Sequence, residues 1–90
     1  MRIDKFLKLS RLIKRREVAR EMTDAGAVRL NGRKVKPAAE VKTGDAIEVA
    51  FPRRVVSVSV LTADEREMKR GGPSVSIEGE TRLNEDEKPW

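Results

Sequence analysis

Ser10–Gly32, SRLIKRREVAREMTDAGAVRLNG, decides how the rest of the chain is read. Its spacing predicts a helix over residues 14–25, with Val18, Met22 and Ala25 at i, i+4 and i+7 along one face. At about 100° per residue, Arg16 and Arg20 fall nearly opposite that face and point to solvent. Lys14, Arg15 and Arg16 crowd the first turn, where the helix dipole is positive and each cation costs a few tenths to about 1 kcal/mol. Glu17 offsets part of this, Arg16 and Arg20 add a like-charge i,i+4 pair, and position 14 holds no capping Ser, Thr, Asp or Asn. A solvated surface accounts for most runs of charge, but not for cations gathered at the helix end that disfavours them. Sequences depart from local rules where function needs the residue, so this helix face is read as an anion-binding surface.

Gly26 supplies a left-handed position that ends the helix after Ala25. Val28 and Leu30 then alternate with Arg29, Asn31-Gly32 is a strong hairpin-turn signal, and Val35 continues the alternation between Lys34 and Lys36. The hairpin presents Arg29, Arg33, Lys34 and Lys36 on a tight ribbon beside the helix. Upstream, Ile3, Phe6 and Leu7 at i, i+3 and i+4 predict a short amphipathic helix over residues 2–9. Asp4 near its start suits the dipole and is in reach of Lys8, while Phe6 is assigned to the core. Leu12 and Ile13 bridge the two helices.

Downstream, Pro37 breaks pairing and Thr43-Gly44-Asp45 reads as a turn, with Asp45 a turn residue rather than a catalytic one. Ala46–Phe51 and Val55–Leu61 alternate as strands, the first with Ile47, Val49 and Phe51 on one face and the second with Val56, Val58 and Val60. After Thr62 the character changes. ADEREMKR has the composition for a helical turn or two, Gly71-Gly72-Pro73 interrupts, and the remainder is polar and acidic. Residues 1–62 are therefore expected to form the domain and residues 63–90 a mostly disordered acidic tail, with a short strand through Val75 and Ile77 as the alternative and Trp90 uninvolved.

Charge is distributed unevenly. Residues 1–36 hold 12 Lys or Arg against 4 Asp or Glu, residues 37–63 hold 3 of each, and residues 64–90 hold 5 against 8. A basic surplus confined to one third of a chain is the electrostatic footprint of a nucleic-acid binder. A membrane surface is a poorer partner, because the apolar residues opposite the basic face are needed by a small core. No apolar run reaches spanning length and the first residues lack the apolar core of a signal peptide, so a cytoplasmic location is expected.

Catalysis is not expected. With no His, Cys or Tyr, the chain lacks the commonest general bases, thiol nucleophiles and nitrogen or sulfur metal ligands, and no phosphate-binding glycine pattern occurs. Neither a cofactor, a metal nor a small-molecule substrate is anticipated. Only Phe6, Phe51 and Trp90 are aromatic, too few for the stacking platforms of single-strand RNA readers. Arg and Lys on a helix and ribbon suit the phosphates and shape of structured, double-helical RNA instead.

Arg2-Ile3-Asp4-x-Phe6-Leu7, Ser10-Arg11, Gly26-x-Val28-x-Leu30-Asn31-Gly32, Val35-x-Pro37 and Val41-x-x-Gly44-Asp45 together resemble the S4-type RNA-binding domain over residues 1–52. That resemblance implies an α+β fold of the S4-like, alpha-L kind: two short helices packed on a small, bent antiparallel sheet, here with a flexible tail, and RNA bound along the second helix and first hairpin. The opening RIDKFLKLSRLIKRR is similar to that of the stand-alone RqcP family of bacterial ribosome-associated quality control, to which the small heat-shock S4 proteins are related. Heat-shock relatives carry a long basic tail, whereas the tail here is short and acidic. The resemblance implies a ribosome-associated protein bound to an obstructed large ribosomal subunit. It would contact large-subunit rRNA and peptidyl-tRNA and act with RqcH, which extends stalled chains with alanine. The residues it and the charge pattern nominate are Arg2, Arg11, Lys14, Arg15, Arg16, Arg20, Arg29, Arg33 and Lys34. A generic structured-RNA binder serving ribosome assembly, recycling or RNA modification is the alternative.

Overall fold

Three short helices share one core with a single five-stranded antiparallel sheet in a computed structural model that describes residues 1–90. The elements run α1 (Ile3–Leu9), α2 (Arg16–Asp24), β1 (Val28–Leu30), β2 (Arg33–Lys34), β3 (Ala46–Phe51), β4 (Arg54–Val60), α3 (Glu65–Lys69) and β5 (Val75–Arg82). Strand order is β2-β1-β3-β4-β5. Alternation sets the register: Val28 lies opposite Val49, Leu30 opposite Ile47, Ile47 opposite Val58 and Val49 opposite Val56. These apolar side chains form one core with Ile3, Phe6, Leu7, Ile13, Ala19, Val41 and Met68.

Neither α1 nor α2 has a side-chain cap. At α1 the backbone supplies the missing acceptors. Ile3 N–H donates to Ala39 O at 2.8 Å and Asp4 N–H to Pro37 O at 3.3 Å, tying the loop after β2 to the first turn. At the other end of α2, Ala27 N–H donates to Met22 O and Gly26 N–H to Thr23 O, with Gly26 at φ +80°: a Schellman closure. Asn31 (φ +51°) and Gly32 (φ +81°) form the tight turn. Asn31 Oδ1 also accepts from Ala46 N–H, and Asp45 Oδ2 accepts from Lys42 N–H at 2.8 Å, so Asp45 is a turn residue.

Four expectations need correction. First, α2 begins at Arg16 and buries Ala19 and Thr23, while Val18 is 38% exposed. Small Ala19 lets the helix lie close to its neighbours, and the Thr23 hydroxyl is satisfied within the helix by donating to Ala19 O at 2.7 Å. Second, Asp4 is buried and does not pair with Lys8; its partners are Arg2 and Arg16. Third, the stretch read as a mostly disordered tail contains α3 and β5. Asp64 caps α3 by accepting from Arg66 and Glu67 N–H, Met68 enters the core, and β5 pairs with all of β4, bulging where Ser57 meets Gly79 and Val58 meets Ile77. The free edge of β4 provides a template that compensates for the weak apolar content of residues 75–82. Fourth, Trp90 is engaged: its Nε1–H donates to Gly26 O at 3.0 Å.

Candidate nucleic-acid interface

Asp4 organises the first part of the basic surface. Its carboxylate accepts from Arg2 Nε at 3.2 Å, Arg2 Nη2 at 3.1 Å, the Lys5 backbone N–H at 2.7 Å and Arg16 Nη2 at 3.4 Å. The Asp4 side chain is 3% exposed, whereas those of Arg2 and Arg16 are 50% and 46% exposed. One buried anion thus holds two guanidiniums side by side, one from the residue preceding α1 and one from the start of α2, each with unused N–H groups at the surface. A shallow cleft of about 410 Å³ lies over them, bounded also by Lys5 and Glu65. Lys5 is ion-paired to Glu65, whose carboxyl is held below the usual carboxylate range by that hydrogen bond and by the charges of Lys5 and Lys69. A fork-shaped pair of guanidiniums presented on a fixed carboxylate is chemically suited to phosphate oxygens.

The other nominated cations fall into groups. Arg11 and Lys14, in the α1–α2 loop, line a separate cavity with Lys8 and Lys69. Arg15 is solvent-exposed at the start of α2, 4.0 Å from Glu17, and Arg20 is exposed further along. Arg33 and Lys34 project from the two-residue strand β2, and Lys34 lies against Gly26. Lys34, Lys36 and Gly26 also border a cavity of about 290 Å³ beside the end of α2. Arg29 stands apart. Its guanidinium stacks on the Trp90 ring at 4.6 Å from the centroid, and its Nε is buried without an acceptor.

Asp4, Lys8 and Lys69 were missed in the sequence. Asp4 had only a weak signal: at about 100° per residue position 4 falls beside the Ile3–Phe6–Leu7 stripe of α1, roughly 60° beyond Leu7. A carboxylate there requires cationic partners. Lys8 and Lys69 become neighbours only through α3, which has no local signature in the basic third of the chain.

A family model of the S4 domain matches residues 1–47. The chain is 50% identical over 60 residues to the RQC P-site tRNA stabilizing factor of Bacillus subtilis, covering 67% of this chain and 70% of that protein. To the Streptococcus pneumoniae factor of the same name it is 38% identical over 87 residues, covering 96% and 99%. Among solved structures, that of the hypothetical protein HP1423 superposes with a TM-score of 0.72 at 34% identity, over 88% of this chain and 98% of that one. Vibrio cholerae Heat Shock Protein 15 superposes with a TM-score of 0.74 over 86% and 80%; at 24% identity this shows a shared fold.

Proposed function

The chain belongs to the family of RQC P-site tRNA stabilizing factors, S4-domain proteins, and from that membership we propose that it steadies peptidyl-tRNA on an obstructed large ribosomal subunit. In this reading it acts in the cytoplasm on the ribosome, touches large-subunit rRNA as well as the tRNA, and supports RqcH while alanines are added to the stalled chain. It works as a binder and not as a catalyst. The observation that carries the reading is the Asp4 carboxylate fixing Arg2 and Arg16 as adjacent phosphate-binding forks. Arg15 and Arg20, at the start of α2 and along it, Lys14 in the α1–α2 loop, and Arg33 and Lys34 on the hairpin supply further cations for the same RNA.

Alanine tailing tests the proposal. In cells lacking the gene, tails on stalled chains should be lost, restored by the wild type and not by Arg2→Ala/Arg16→Ala. Arg16→Lys should weaken subunit association less than Arg16→Ala, because a single ammonium replaces the fork without removing the charge. Normal tailing in the deletion strain, or full rescue by a folded double variant, would leave a generic binder of structured RNA.

A further inference from the structure

The cavity shared by Lys8, Arg11, Lys14 and Lys69 lies outside the Asp4 cluster and depends on an element beyond the S4 match. It measures about 470 Å³, and its lining includes Leu9 and the buried Met68 but no acidic residue. Lys8, Arg11 and Lys14 make no ion pair within the chain, and Lys69 has only Glu65 at 3.9 Å. The wall contributed by α3 is fixed, since Met68 is part of the core and Lys5 pairs with Glu65.

Arg11 itself is strained. It has φ +66° just past the end of α1, a conformation in which glycine is the default and other residues incur a steric cost. Strain of this kind is kept where a side chain is needed. Arg11 contributes a cation to the cavity lining where a glycine would close the helix more comfortably.

We infer that this cavity receives one extrahelical nucleotide of the bound RNA, a deepening of the function proposed above that rests on it. Its phosphate would sit among the four cations, and its sugar or base against Leu9 and Met68. Duplex backbone is convex and presents phosphates to open faces such as the Arg2–Arg16 pair; it has no use for a pocket in the size range of small-ligand sites. Unpaired nucleotides can leave the stack and enter one. Met68 and Leu9 provide the apolar part of the cavity lining in a chain poor in aromatic platforms.

The test uses the full chain and two RNA hairpins that differ by one bulged 2-aminopurine nucleotide. Wild type should prefer the bulged hairpin by roughly tenfold, the increment of one charge-assisted contact, with a change in 2-aminopurine fluorescence. Lys8→Ala/Lys69→Ala should abolish that preference while leaving the paired hairpin bound as before. Arg11→Gly, which suits the backbone, should raise the melting temperature while weakening bulged RNA. Equal binding of both hairpins by wild type overturns the pocket and leaves the proposed function standing; a preference that survives the double variant also overturns it. Failure to bind either RNA also overturns the pocket, and the alanine-tailing experiment decides the proposed function separately. Displacement of the bulged RNA by ~1 mM adenosine monophosphate would assign the cavity to a free nucleotide and overturn the strand-borne one.

Discussion

A carboxylate at position 4 is costly to desolvate, and Arg2 and Arg16 are what make it tolerable. The sequence points to an Arg16 that is electrostatically misplaced at a helix start, so that its removal would leave stability unchanged or raised. The structure reverses the sign. Because the guanidinium is about half exposed, solvent screening keeps the loss small: Arg16→Ala should destabilise by about 0.5–1 kcal/mol, and Arg2→Ala, which removes two bonds to Asp4, by more. Thermal melts of both variants, and of Asp4→Asn with each, check this; an Arg16→Ala protein that melts above wild type would show that the helix-dipole penalty dominates. Glu65 gives a pH signature. Its folded pKa is depressed, chiefly by the hydrogen bond from Lys5, so its contribution is present above the ordinary carboxylate range and disappears as pH falls through the folded value. The difference in melting temperature between wild type and Glu65→Gln should be present at neutral pH and close below about pH 4.

At the scale of elements, α1, the β1–β2 hairpin, β3 and β4 were legible because each is determined locally, by a period of 3.6 or 2 or by Asn31-Gly32. The buried side of α2 was not, since Ala19 and Thr23 carry little apolar signal beside Val18 and Met22. The same limit applied to β5, whose existence depends on a partner edge and whose alternation is broken by the bulge. Most of the nominated cations reach the surface, but the grouping of Lys8 with Lys69 and the docking of Trp90 on Arg29 join residues far apart in sequence. β5 also buries little: Val75 is partly covered and Ile77 is 60% exposed. Its ladder hydrogen bonds therefore barely exceed the entropy of ordering it. In hydrogen exchange, amides of β5 should open well before those of β3 and β4. Deleting residues 72–90 should leave a cooperative transition at a lower temperature, by roughly 4–8 °C for each 1 kcal/mol lost, and should promote self-association through the bared edge of β4. A deletion protein that melts like wild type and stays monomeric would show that β5 contributes nothing.

Across the whole molecule, the acidic last third pairs mainly with cations of the charge-balanced middle of the chain, and only Glu65, on Lys5, pairs with the basic first third. The basic third supplies α1, α2 and the hairpin, while the acidic last third returns along β4 and brings Glu85 to Arg53 and Glu80 to Arg54 at 3.5 Å each. Those pairs occupy Arg53 and Arg54 at the β3–β4 turn and leave the α1–α2 loop and the cations of the β1–β2 hairpin without acidic partners from the last third. If about four to six phosphates are engaged there, RNA affinity should fall two to three orders of magnitude between ~50 and ~200 mM salt. A filter-binding titration at several salt concentrations measures the slope, and a nearly flat dependence would remove phosphate contacts as the source of affinity.

Trp90 is the only indole in a chain with no tyrosine, and it rests on a cation of the hairpin with its ring nitrogen bonded to Gly26 O. The molecule therefore carries a single built-in optical reporter at the seam between its last residues and its first hairpin. RNA that recruits Arg29 has to lift the ring away, and the emission would move toward that of a hydrated indole. RNA that binds and leaves the spectrum in place has reached the protein without Arg29. The colour of one residue thus sorts complexes by which part of the basic surface they occupy, with no label attached.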